Sequence, residues 1–118
     1  MRKTRNRIRL ARLFAKYKRL GLDDARLSVF DACARIRGSQ KTLSDANDIF
    51  AAWACARLLR DRGRAEDIEL FCDVYLYRSH KAGALAIKHH YDERTVYRRL
   101  SFVERQYEIM RKSIETKK

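Results

Sequence analysis

An all-α fold is what this sequence predicts: one compact helical domain of five or six helices, with a C-terminal helix-turn-helix. Three observations carry that expectation. The 118 residues include no proline and only four glycines, which suits helices joined by short turns and disfavours a β-sandwich. Apolar residues recur at steps of three and four along most of the chain, the spacing of one buried helical stripe. The clearest interruptions, Gly21, Gly38-Ser39-Gln40 and Gly63, fall between those periodic stretches. With 46% apolar residues, a chain of this length can build one modest core.

Residues 1–7 are expected to be a flexible basic arm. From about Ile8 the pattern turns helical, with Leu10, Leu13, Phe14, Tyr17 and Leu20 on one face. Arg5, Arg9, Arg12, Lys16 and Arg19 gather on the other. Gly21 is a natural C-terminal stop. Asp23 or Asp24 is expected to cap a second helix running to Arg37, with Leu27, Phe30 and Ala34 on its apolar face. Ser44, followed by Asp45 and Asp48 near the positive helix end, starts a third. That helix, 45–61, is apolar around most of its circumference, so it reads first as the central buried helix and second as a subunit interface. Gly63 ends it. A fourth helix over 65–79 shows Ile68, Phe71, Cys72 and Tyr75 on one side and Leu70, Val74 and Tyr77 on another, which places it between two layers.

Residues 81–110 carry the helix-turn-helix expectation. A short first helix would hold Leu85, Ala86 and Ile87, followed by a turn at His90, Tyr91 and Asp92. Asp92 suits the N-cap of the second helix, which would start at Glu93. There Val96, Leu100, Val103, Tyr107 and Met110 form a buried stripe. Placing that stripe inward turns Arg94, Arg98, Ser101 and Arg105 outward, with Thr95 and Tyr97 on the flanks. Arg99 lies nearer the core edge and is expected in an ion pair. An arginine row in the N-terminal half of such a helix suits the DNA major groove, where the guanidinium fork pairs with guanine O6/N7 or clamps a phosphate.

The run ALAIKHHYDERTVYRRL, residues 84–100, resembles the DNA-binding half of region four of bacterial sigma factors. With the preceding AEDIELFCDVYLYR and the following SFVERQYEIM, it looks more like the phage late-gene regulators of the ArpU/RinA type. The resemblance rests on Tyr75-Leu76-Tyr77, Ala86, the core from Arg94 through Thr95, Val96 and Tyr97 to Arg98, and Phe102, and covers roughly the last 50 residues. It implies a small, basic, all-helical regulator of a phage late or packaging-gene operon, acting in the cytoplasm of a bacterial host. RNA polymerase is then a candidate partner.

Charge supplies an independent argument. There are 28 basic and 15 acidic residues, a net charge of +13, and such a field draws polyanions. Nucleic acid is the leading partner class and an anionic membrane surface the second. The charge is not spread evenly. Residues 1–20 hold nine bases and no acid, 21–79 form a helical scaffold that is close to neutral, and 80–118 are again basic. That is the arrangement expected of a scaffold whose two ends touch a polyanion.

Other chemistries find little support. Cys33, Cys55 and Cys72 are odd in number, lie in apolar helical contexts and read as buried small hydrophobes rather than metal ligands or disulfide partners. Free thiols fit a reducing cytoplasm. His89 and His90 are adjacent and point apart on a helix, so they cannot chelate as an i, i+4 pair, and His80 is uninformative. No Gly-rich phosphate loop, HExxH motif or Ser/His/Asp arrangement stands out, so no enzyme activity, metal or cofactor is expected. No secretion signal or membrane span is read from the sequence.

The candidate contact residues are therefore Arg94, Thr95, Tyr97, Arg98 and Ser101 on the second helix, with Lys81 and Lys88 reaching phosphates from the first. Arg5, Arg9, Arg12 and Lys16 offer added phosphate contacts from the N-terminal helix. The expected partner is double-stranded DNA, and a homodimer is plausible because one helix offers few base contacts. Phe102 and Ile109, apolar but off the buried stripe, are candidate interface residues. Two other readings stay open: a packaging adaptor of the small-terminase kind, and a non-specific nucleic-acid or RNA binder using charge alone.

Overall fold

The computed structural model describes residues 2–77 and 92–116 of the chain. It contains α1 (Arg2–Arg19), α2 (Val29–Ser39), α3 (Leu43–Asp61), α4 (Ala65–Cys72) and α5 (Glu93–Thr116). A five-residue π-helical turn, Asp73–Tyr77, continues α4. Among the described residues there is no strand, and no helix is long and apolar enough to cross a membrane.

The sequence periodicity explains the layering. Helix α3 packs against α1, α2, α4 and α5, which makes it the central helix. Its small residues Ala51, Ala52, Cys55 and Ala56 let neighbouring backbones approach, while Ile49, Trp53 and Leu59 fill the space between them. Helix α1 lays Leu10, Ala11, Phe14 and Tyr17 into the core. The Phe14 ring meets Tyr17 and Phe71 edge-on at centroid distances of 6.2 and 5.9 Å. Helix α4 buries Ile68, Leu70, Phe71 and Cys72 between α3 and α5, the two-sided burial its pattern predicts.

Glycine ends two of these helices. Gly21 (φ 75°) and Gly63 (φ 73°) take the left-handed conformation that only glycine adopts without strain. Past each of them the chain folds back, with Leu22 N–H donating to the Tyr17 carbonyl and Arg64 N–H to that of Leu59. The loop after Gly21 is then pinned to α3. Trp53 Nε1 donates to the Leu22 carbonyl at 3.0 Å, Arg57 donates to the Leu27 carbonyl, and Arg60 pairs with Asp23.

Several expectations need correction here. Residues 2–7 are not a loose arm: α1 begins at Arg2, and Arg7 is buried. The second helix is capped by Ser28, not by Asp23 or Asp24, and starts only at Val29. Asp23 is engaged by Arg60, and Asp24 instead accepts from the Arg26 backbone N–H in a short turn. Leu27 is buried from the loop, so the helix turns Ala32 and Ile36 inward and leaves Phe30 80% exposed. The third helix is capped by Thr42 rather than Ser44, two residues earlier than expected. The fourth is α-helical only to Cys72 before widening into the π turn.

A candidate nucleic-acid interface

Helix α5 forms where its sequence predicts, and for the reasons predicted. The Asp92 carboxylate accepts from the Thr95 N–H at 2.7 Å, which caps the first turn and holds the Asp92 pKa below its ordinary value. Val96, Leu100 and Val103 are fully buried, and Tyr107 is half-buried behind them. Burial pushes the Tyr107 hydroxyl up to about 12. On the opposite side Arg94, Tyr97, Arg98 and Arg105 face solvent, with Tyr97 56% exposed. These four line one open concavity together with Glu93, Ser101 and Phe102. Arg98 is steadied by a 3.3 Å hydrogen bond from its guanidinium to Thr95 Oγ1.

Three charged clusters fix α5 on the body. At the first, Arg7 of α1 donates to Glu104 Oε1 at 3.0 Å, to Ser101 Oγ at 3.1 Å and to Tyr75 Oη at 2.8 Å. Burial disfavours its charge, but the Tyr75 and Glu104 hydrogen bonds outweigh burial and raise the Arg7 pKa above the ordinary arginine value. At the second, the fully buried Asp67 of α4 receives Arg64 and Arg99, both at 2.7 Å. The expected ion pair of Arg99 is therefore found, and its partner is Asp67. The Arg64 guanidinium also lies 3.7 Å from the centre of the Phe102 ring. At the third, Asp48 of α3 accepts from Arg9 at 2.5 Å and from Arg111 at 2.7 Å.

These clusters redistribute the predicted contact residues. Arg94, Tyr97 and Arg98 come together on one face, joined by Arg105, while half-buried Thr95 touches that group through its bond from Arg98. Ser101 spends its hydroxyl oxygen on Arg7. On α1, Arg9 is bound to Asp48 and Lys16 to the Gln40 side chain at 3.2 Å, while Arg5 and Arg12 stay exposed. Of the two candidate interface residues, Phe102 is covered by Arg64 and Ile109 remains 56% exposed. Lys81, Lys88, the three histidines and the expected first helix and turn through Tyr91 lie outside the described residues.

Sequence reasoning missed Arg7, Arg64, Asp67 and Asp48 as structural anchors. Asp67 and Asp48 each carried a local signal, an acid with apolar residues three and four positions on, Leu70 and Phe71 in one case and Ala51 and Ala52 in the other. Cys55 and Cys72 are buried free thiols, pushed up by burial to about 12 and about 11, and Cys33 is a half-buried one. Among the described residues no three metal-binding side chains converge. The chain matches no protein-family model, no curated protein sequence and no solved structure.

Proposed function

We propose that this chain is a sequence-specific, double-stranded DNA-binding regulator of transcription, phage- or prophage-encoded and acting in the cytoplasm of a bacterial host. One observation carries the reading. Arg94, Arg98 and Arg105, with Tyr97 among them, occupy the open face of a helix whose other side is locked to the core. A rigid cationic helix face is what major-groove readout requires, since recognition geometry is lost when the presenting element can shift. The net charge of +13 supports the same partner by drawing the phosphate backbone. The likeness to late-gene regulators, carried by the stretch around Arg94–Arg98, supplies the assignment to transcription. RNA polymerase and a second copy of the chain are partners within this proposal, with exposed Ile109 the candidate contact for the latter.

The test is selection of bound fragments from the source genome at near-physiological salt. One or a few loci sharing a site are expected, lost in an Arg94→Ala/Arg98→Ala protein, with each base contact worth about 1–3 kcal/mol of discrimination. Uniform recovery of fragments would refute sequence-specific binding. Recovery of a packaging locus by a ring-sized oligomer would favour the small-terminase kind of adaptor instead.

A further inference from the structure

The sequence offers the basic row on α1 for added phosphate contacts, and its placement in the fold defines which residues make them and where. Arg5, Arg12 and Arg19 are exposed, follow one another at seven-residue steps, and make no ion pair with any described residue. They stand on the side of α1 opposite Phe14, which is buried in the core. On α5 the exposed arginines likewise stand opposite buried Val96 and Val103. Both helices back onto α3, and a single α3 carboxylate, that of Asp48, holds Arg9 of α1 and Arg111 of α5. The two helices therefore lie side by side. They also run in the same direction: Arg7 meets Ser101 and Glu104, and further along, Leu13 shares a groove with Glu108. With their backs on one support, their basic rows point the same way.

We infer that α1 and α5 form one two-railed face for a single DNA duplex, in which Arg5, Arg12 and Arg19 grip the phosphate backbone bordering the groove that α5 enters. This inference rests on the nucleic-acid reading of α5. Its geometry follows from widths. A helix with its side chains is about 10–12 Å across and fills a major groove about 12 Å wide. A second helix beside it, separated by the groove that Leu13 and Glu108 line, cannot enter the same groove of the duplex and meets its phosphate wall instead. Arginine on that wall adds affinity without reading sequence. An anionic membrane fits the row less well. An interfacial helix must sink an apolar face into the lipid, and the apolar face of α1, with Leu10, Phe14 and Tyr17, is already used in the core.

The experiment compares the salt dependence of binding to a random-sequence duplex for the full chain, for Arg5→Gln/Arg12→Gln/Arg19→Gln, and for Arg94→Gln/Arg98→Gln. Circular dichroism and thermal unfolding serve as controls for folding. The α1 variant is expected to lower the slope of log affinity against log salt by about 2.7, at about 0.9 per lost phosphate contact, and to keep whatever base preference the protein has. A folded α1 variant with an unchanged slope would overturn the inference. So would arginine-dependent binding to vesicles one-third anionic in composition with the DNA slope unchanged, or one chain bridging two labelled duplexes. A protein without any sequence preference whose α1 variant still loses that slope would retire the specific-regulator reading and leave the two-railed face standing.

Discussion

Arg5 and Arg7 are two residues apart in the same basic run, yet their replacement should have opposite consequences. Replacing Arg7 by Met keeps the aliphatic stem and removes the guanidinium that joins Glu104, Ser101 and Tyr75. The side chains of Arg7 and Glu104 are only 9% and 14% exposed, so the remaining carboxylate would be left close to buried without its cation. Stripping one partner from a buried pair costs about 3–5 kcal/mol, and the small groove beside Glu104 lets in some water, so the lower end applies, about 3 kcal/mol. Arg5→Met, on the exposed face, should stay within about 0.5 kcal/mol of the parent. Urea unfolding followed by Trp53 fluorescence reads both, and with a slope of about 1.5 kcal/mol per molar the Arg7 midpoint should fall by about 2 M. A loss below about 1 kcal/mol, or one equal to that of Arg5→Met, would refute the view that Arg7 is a structural clasp.

Further outcomes follow from other parts of the fold. Asp67→Ala should cost about 3 kcal/mol by leaving Arg64 and Arg99 without their shared carboxylate, whereas Arg64→Met/Asp67→Leu/Arg99→Met should come close to the parent in chemical denaturation. Phe30→Ser should be nearly neutral, while Ile36→Ala should cost about 2–4 kcal/mol, a contrast in thermal unfolding that checks the register of α2. The Cys55 and Cys72 thiols, raised to about 12 and about 11, contribute stability that is whole below pH 9 and is lost as pH climbs through those values. Unfolding at pH 10 should therefore show a loss on the order of 1 kcal/mol per thiol relative to pH 8, diminished in Cys55→Ala/Cys72→Ala. The Asp92 cap has the opposite sign. Its lowered pKa gives support that is present above about pH 4 and disappears as pH falls through the folded value, so the protection of the Thr95 amide relative to its intrinsic exchange rate should fall in acid and in Asp92→Ala.

What the sequence disclosed was local, and what it withheld was distant. The stripe of Val96, Leu100 and Val103, the Asp92 cap, the buried circumference of α3 and the apolar face of α1 all depend on neighbours within one or two turns. They read correctly for that reason. Helix α2 forms as expected, but its start and inward face were misread because it is only 11 residues long and its supposed first anchor, Leu27, is buried from a loop. Capping was ambiguous wherever polar residues cluster: Thr42 and Ser44 carry the same hydroxyl chemistry, and geometry alone chose Thr42. Arg7 was beyond reach, because its partners lie 68, 94 and 97 residues away and nothing beside it in the chain separates it from Arg5.

Those long separations bear on how the molecule is made. A ribosome delivers α1 before α5, so until α5 emerges the guanidinium of Arg7 has neither Ser101 nor Glu104 to receive it. Asp48 and Asp67 wait likewise for Arg111 and Arg99. Helix α5 supplies a member of all three clusters and also carries the open arginine face. Synthesis thus withholds the finished surface until α5 has emerged, while the α1 row is already made. Before α5 docks, the basic row of α1 stands by itself, and the surface that α1 and α5 share takes shape only afterwards.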